Sequence, residues 1–346
     1  MSPATTPVLT PLVERVLAGA VLSRDEAHDA LGRLTDASVP DAQKAAFLTA
    51  LRTRPEEPGE LAGLAAGMLA AARGPLPRRP GIVVDTCGTG GDGSGSFNLS
   101  TATALLVAAL GIPVAKHGNR AVSSRTGSAD LVEALGLAFA DDPEAAARDL
   151  EERGFAFLFA PAFHPAAAGV APVRRSLGMR TVFNVLGPLA NPARPTHQLV
   201  GAFSPDAARA MAGALAQLGV ERAFCVHGEP GWDEATPVGP FLRVEVRDGE
   251  VREATFDPRD YGLERCRPDD LAGGDADGNA ALLRGLFDGT RSPLRDALVL
   301  NAALVLQLVG REHDPRAAAR AAAAALDDGR ARAFLEHARR GEGAGR

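Results

Sequence analysis

One stretch of this chain concentrates groups that bind anions. It runs Asp85-Thr86-Cys87-Gly88-Thr89-Gly90-Gly91-Asp92-Gly93-Ser94-Gly95-Ser96-Phe97-Asn98-Leu99-Ser100-Thr101. It resumes as Lys116-His117-Gly118-Asn119-Arg120-Ala121-Val122-Ser123-Ser124 and closes as Gly127-Ser128-Ala129-Asp130. Glycines and hydroxyls supply backbone N–H groups and short polar side chains with little bulk, which is the chemistry of a phosphate cradle. Of 37 basic residues only Lys44 and Lys116 are lysine, and Lys116 lies inside this stretch. Lysine is a compact point charge where arginine is a planar fork.

Gly88-Thr89-Gly90-Gly91-Asp92-Gly93 satisfies GxGxxG, a weak signal for a dinucleotide fold on its own. In that fold the helix opens within the glycines, and an acidic residue ends the next strand to hold a ribose. Here the glycines run on to Gly95 and Ser96, the helix start falls at Asn98 to Thr101, and Lys116 stands where the acid belongs. No Walker A pattern occurs. A phosphate loop and a purely structural glycine loop both remain open, and Asn98-Leu99-Ser100-Thr101 reads as a phosphate-binding helix N-terminus or as plain N-capping.

Two more places carry possible chemistry. Asp233-Glu234 follows a strand candidate ending near Val226, and adjacent carboxylates at a strand end suit Mg2+ shared with a phosphate or are simply solvated. Arg174-Arg175 sits among small and apolar residues; a guanidinium there suits a substrate carboxylate or a helix surface. His117, His164, His197 and His227 lack metal-ligand spacing, and no Ser-His-Asp arrangement stands out.

Elements must position these groups. Residues 8–73 read as helices, with Leu12, Val13, Val16, Leu17 and Val21 at helical spacing and a capping box at Ser23-Arg24-Asp25-Glu26. Gly74 to Pro80 reads as a linker. Strand candidates follow at Ile82–Val84, Pro113–Ala115 running to Lys116, Phe155–Phe159, Gln198–Gly201 and Arg222–Val226, with Phe241–Val246 as a peripheral strand. Helices are expected from about Ser100 to Leu110, from about Gly127 to Leu135, and over the last 60 residues. Alternating strands and helices imply an α/β fold with a parallel sheet, whose ligands sit at the strand carboxyl ends. Both the glycine loop and the Lys116 loop lie there.

The whole chain sets bounds. Its 346 residues allow two domains. The net charge of −6 argues against a general nucleic-acid surface. Cys87, Cys225 and Cys266 form no CxxC pair, which argues against a disulfide framework or structural zinc. No stretch reads as a membrane span or secretory leader, so a cytoplasmic protein is expected.

In order along the chain, these motifs resemble the anthranilate phosphoribosyltransferase family. The residues carrying the resemblance are Gly88-Thr89-Gly90-Gly91-Asp92, Asn98 to Thr101, Lys116 to Ser124, Gly127 to Asp130, Val173-Arg174-Arg175, Thr181 to Pro192, Asp233-Glu234 and Leu300-Asn301-Ala302-Ala303. Pyrimidine nucleoside phosphorylases share the Lys-His-Gly and Gly-Ser-Ala-Asp elements, while the Phe183 to Pro192 run and the place of Arg174 favour the anthranilate enzymes. The resemblance implies a small all-helical domain, 1–73 joined by about 165–180, and a larger α/β domain, 81–164 and 181–346, with a central mainly parallel sheet. It also implies a homodimer formed through the helical domain.

The implied reaction joins the nitrogen of anthranilate to C1 of phosphoribosyl pyrophosphate and releases pyrophosphate, a step of tryptophan biosynthesis. By resemblance, Gly88, Gly91, Asp92, Ser96, Asn98, Leu99, Ser100, Thr101, Lys116, His117, Gly118, Asn119, Arg120, Ala121, Val122, Ser123, Ser124 and Ser128 bind phosphoribosyl pyrophosphate. Gly88, Asn119 and Arg174 contact anthranilate, and Ser100, Asp233 and Glu234 serve two Mg2+ per subunit. No residue is assigned as a general base, and neither nucleic acid nor membrane is expected as a partner. The chain departs from the family pattern at Ala166-Ala167-Ala168-Gly169, Thr126, Trp232 and Ala235-Thr236-Pro237-Val238, none of them a proposed ligand. Two other functions are weighed: a pyrimidine nucleoside phosphorylase, and a nucleic-acid-binding paralogue without catalysis. The second is opposed by intact acidic and Lys-His-Gly-Asn motifs and by the net charge.

Overall fold

Ser23 opens a helix by the device its sequence predicts. Its hydroxyl accepts from Glu26 N at 3.2 Å, and the Glu26 carboxylate accepts from Ser23 N at 2.9 Å. Two orphan amides of the first turn are satisfied in this way. In a computed structural model that describes residues 8–74, 76, 81–121 and 125–339, four helices come first: α1 (Thr10–Leu17), α2 (Arg24–Thr35), α3 (Asp41–Leu51) and α4 (Pro58–Ala70). Most of the expected linker, Pro75 and Pro77 to Pro80, lies outside the described residues.

The sheet follows as β1 (Val84–Gly88), β2 (Val114–Gly118), β3 (Phe155–Phe159), β4 (His197–Gly201), β5 (Arg222–Gly228), β6 (Phe241–Arg247) and β7 (Glu250–Phe256). Its spatial order is β3-β2-β1-β4-β5-β6-β7; β1 to β5 are parallel, and β6 and β7 are antiparallel. The chain winds outward from β1 to β3, then returns past β1 to β4. Loops leaving β1 and β4 therefore diverge, and a crevice opens at their carboxyl ends.

Two strand expectations shift. The first strand starts at Val84 rather than Ile82 and takes in Asp85 to Gly88. These polar residues tolerate a central strand because buried partners meet them, as described below. β7 was not expected. Its residues are exposed but for a half-buried Phe256, so no apolar alternation marks it. The signal was the Asp248-Gly249 turn before it, where both residues have positive φ, 52° and 81°, as a two-residue hairpin turn demands.

The intervening helices are α5 (Leu99–Ala109), α6 (Ser128–Ala134), α7 (Pro143–Arg153), α8 (Ala160–Phe163), α9 (Ala171–Leu177), α10 (Phe183–Leu189) and α11 (Pro205–Leu218). After the sheet come α12 (Ala276–Phe287), α13 (Pro293–Leu308), α14 (Pro315–Asp327) and α15 (Arg330–Arg339). Strand alternation divides the interior. Leu199, Phe224 and Val226 face a core built with α5 and α13, while Val200, Ala223 and Cys225 face one shared by α10, α11 and the N-terminal helices. A 3-10 turn, Pro165–Gly169, and α9 after it pack on α2 and α3. Lys44 of α3 fastens that seam, donating from Nζ to the Gly169 carbonyl at 2.8 Å. Among the described residues no helix is long and apolar enough to cross a membrane.

Candidate active site at the strand ends

The glycine loop leaves β1 at Gly88, and α5 begins at Leu99 with Asn98 in the N-cap position. Asp92 shapes the loop: its carboxylate accepts from Ser94 N at 3.0 Å and Ser94 Oγ at 2.9 Å, and Ser94 Oγ lies 3.0 Å from Ser96 Oγ. Asn98 is locked between neighbours, donating to the Thr126 carbonyl at 3.0 Å and accepting from Asn279 Nδ2 at 2.7 Å. Leu99 is a buried core side chain, so only its backbone faces the loop chemistry. Thr101 is buried, and its hydroxyl has no partner among the described residues.

Across this loop lies the acidic pair from the β5–β6 connection. Asp233 Oδ2 accepts from Gly90 N at 2.6 Å and Thr89 Oγ1 at 3.3 Å, and Glu234 Oε1 accepts from Ser100 N at 3.2 Å. Room for the pair comes from three glycines, Gly88, Gly201 and Gly228, at the ends of β1, β4 and β5. A Cβ on Gly88 would sit 2.4 Å from Asp233 Oδ2; on Gly201, 1.5 Å from the Asp233 carbonyl; on Gly228, 2.2 Å from the Glu234 carbonyl. Asn301 of α13 supports the connection from below, donating to the Ala235 carbonyl at 2.7 Å. A small pocket here is lined by Thr86, Ser100, Thr103, Asp233, Glu234 and Asn301 among others.

Burial raises the Asp233 carboxyl, with the negative charge of Asp92 adding to it. Glu234 is pushed well above the carboxylate range by burial first, then by Asp233 and Asp92. Three carboxylates thus crowd one place. Among the described residues no cluster of three or more acidic, His or Cys side chains forms a ready-made metal cage. That donor set still fits Mg2+, which prefers hard oxygens, takes one or two carboxylates and fills its shell with water and phosphate.

Lys116 ends up beneath the loop. It is 1% exposed, and its Nζ donates to the Thr86 carbonyl and, at 3.4 Å, to Ser100 Oγ. Burial lowers its pKa, and Asp85 opposes that. Asp85, fully buried in β1, is raised by burial and accepts from Asn191 Nδ2 at 2.8 Å; the same amide donates to the Ala115 carbonyl. His117 is held down to about 3 by burial and, next, by His164; the two rings meet edge to face at 5.1 Å. Its Nδ1 pairs with the Gly187 carbonyl at 3.3 Å.

Gly118 ends β2, and the chain turns through Asn119, Arg120 and Ala121. Ser128 Oγ is within 3.2 Å of both Asn119 N and its carbonyl, so the two are brought together. The Arg120 guanidinium is engaged by Asp130 at 3.1 Å and Glu133 at 2.8 Å. Val122, Ser123 and Ser124 lie outside the described residues. Arg174 shares none of these described bonds; half-buried on α9, its guanidinium stands 5.0 Å from the Phe183 ring centre, and burial lowers its pKa. Sequence reasoning missed Asp85, Asn191, Gly201, Gly228 and the role of Asn301. Asp85, Asn191, Gly201 and Asn301 each lay in a stretch already noted, but nothing in the sequence marked their roles, and Gly228 carried no signal.

The glycosyl transferase family, a/b domain, matches residues 80–332, and the glycosyl transferase family, helical bundle domain, matches 10–72. Anthranilate phosphoribosyltransferase of Methylobacterium nodulans is 47% identical over 94% of this chain and 96% of its own, and that of Rubrobacter xylanophilus 47% over 95% and 96%. Among solved structures, anthranilate phosphoribosyltransferase of Thermus thermophilus superposes with a TM-score of 0.87 at 43% identity, covering 95% of this chain and 98% of that one. The Saccharomyces cerevisiae enzyme in complex with PRPP and Mg gives 0.87 at 27% identity, covering 96% and 97%. With a helical N-terminal part, a seven-stranded mostly parallel sheet and this similarity along nearly its whole length, the chain belongs to the anthranilate phosphoribosyltransferase family.

Proposed function

We propose that this protein transfers the 5-phosphoribosyl group of phosphoribosyl pyrophosphate to anthranilate, giving N-(5-phosphoribosyl)anthranilate and pyrophosphate for tryptophan biosynthesis. One observation carries the reading: Asp233 and Glu234 are seated by hydrogen bonds against the glycine loop and the first turn of α5, where a phosphate and a divalent cation would share one place. The amine nitrogen forms a bond to C1 as the C1–oxygen bond to pyrophosphate breaks, and the nitrogen loses its proton. The leaving group carries most of the charge, so holding it and aligning the amine supply the rate.

Gly88, Gly91, Asp92, Ser96, the Asn98–Thr101 turn, the Lys116–Ser124 segment and Ser128 would hold the donor. Two Mg2+ at Ser100, Asp233 and Glu234 would neutralise charge on the pyrophosphate. Lys116 acts from below, setting Ser100 and lending positive potential. Arg174, with Asn119 and Gly88, would receive anthranilate. A neutral aromatic amine is already nucleophilic. The segment 165–180 would work with the N-terminal helices as one wall of the cleft. Two cytoplasmic copies would pair through those helices, where Leu17 at the end of α1 and Val21 in the turn before α2 are 57% and 51% exposed.

Anthranilate fluoresces, so the test is direct. Protein, Mg2+, phosphoribosyl pyrophosphate and anthranilate should lose fluorescence in step with pyrophosphate release. Persistent fluorescence from well-folded protein would sink the reading.

A further inference from the structure

Arg180 has no part in the chemistry just described, yet it joins three segments. It follows the left-handed Gly178 that ends α9, the helix bearing Arg174. Its guanidinium lies 4.4 Å from the centre of the Phe203 ring, just after β4. It also donates a hydrogen bond to the carbonyl oxygen of Gly91 in the glycine loop. Gly91 has a φ of +68°, in the region glycine enters freely. A run of such residues has no side chains with which to fix the direction of its own peptide planes.

A trans peptide group is planar, so its C=O and N–H point to opposite sides. Holding the Gly91 oxygen therefore sets the direction of the Asp92 N–H. The Asp92 side chain holds the loop from its other end, through Ser94 and, at 3.4 Å, the Asp233 amide. Arginine suits the Gly91 position because one flat group both stacks on a ring and donates in its own plane, which an ammonium cannot do.

We propose that Arg180 is a positioning residue for the donor substrate. Stacked on Phe203, it fixes the Gly91–Asp92 peptide so that the loop is preset for phosphoribosyl pyrophosphate, and it links that loop to the segment bearing Arg174. This rests on the transferase reading above.

Steady-state kinetics with Mg2+ on Arg180→Ala, Phe203→Leu and the double variant, each with a melting curve, test it. Loss of a hydrogen bond from a charged group should raise the KM for phosphoribosyl pyrophosphate by about tenfold to a hundredfold. The KM for anthranilate should move by less than about threefold, since uniform binding of that substrate is untouched. Phe203→Leu should raise the donor KM by about threefold. The double variant should match Arg180→Ala, because the ring acts through the guanidinium. Added guanidinium ion should restore part of the donor affinity of Arg180→Ala, which general loosening of the fold would not permit.

An unchanged donor KM, additive effects, or a change confined to anthranilate would overturn the proposal. Should Arg180→Ala fail to fold, the donor KM of Phe203→Leu decides: a rise supports the proposal and no rise defeats it. Wild-type protein that leaves anthranilate unconsumed defeats the transferase reading instead.

Discussion

The two lysines mark regions that are built alike and used differently. Lys44 and Lys116 are each 1% exposed, and each donates to a backbone carbonyl, of Gly169 and of Thr86. Every other basic residue is arginine. A compact ammonium fits a packed seam where a planar fork with five donors does not. The neighbours differ. Lys44 meets a neutral carbonyl between α3 and the turn before α9. Lys116 faces the buried carboxyl of Asp85, the hydroxyl of Ser100 and the charge of Glu234. A neutral partner makes a seam, whereas a ring of charges makes a place where an added ion or phosphate changes the energy.

The comparison is most exposed at Lys116. Lys116→Met should cost about 3–5 kcal/mol in urea unfolding, because Asp85 loses its counter-charge in a buried strand. Asp85→Asn added to it should recover part of that loss. If Lys116→Met costs no more than Lys44→Met, the distinction fails. Next comes Asp233→Asn, expected to lower kcat by about a hundredfold or more through lost stabilisation of the leaving group. Its melting temperature should stay level or rise, since a crowded carboxylate has gone. A fall in both would make Asp233 a structural group like those of the seam.

Lys44→Met should cost about 1–3 kcal/mol, the penalty of an unmet Gly169 carbonyl. Its kinetic trace should be a raised KM for anthranilate with kcat nearly unchanged, because α9 follows directly. A large loss of kcat would show that the seam does more than hold the wall. A further effect is a pH slope. His117 titrates near 3 in the folded protein, against about 6.5 when unfolded. Between these values the unfolded chain binds the extra proton. Its contribution is therefore complete above about pH 6.5 and falls by up to about 1.4 kcal/mol per unit as pH drops toward 3. His117→Asn should flatten unfolding free energy between pH 7 and 5 by that share, and parallel wild-type and variant curves would refute it.

The motifs and most elements were legible because local chemistry writes them. The Ser23 capping box, Phe155–Phe159 and the start of α5 follow from residue type and spacing alone. β7 was hidden because an edge strand needs no apolar alternation. Arg180 was hidden because one arginine among many carries no signal until its ring and carbonyl are seen. Asp85 read as the first residue of a loop, and only the buried amide of Asn191 explains an acid inside a central strand.

By itself the sequence determined where glycines, hydroxyls, acids and lysines fall, and the strand–loop–helix rhythm that carries them to strand ends. These depend on neighbours a few residues away. The tertiary structure alone decided that Asp233 reaches the Gly90 amide across 143 residues, that three strand-end glycines clear space for it, and that Lys116 lies under the loop rather than in the open cleft. Such distances are set by parallel register and by the packing of α5 and α13 on the sheet. Those are sums over many weak contacts between remote segments, and no single stretch of sequence records them.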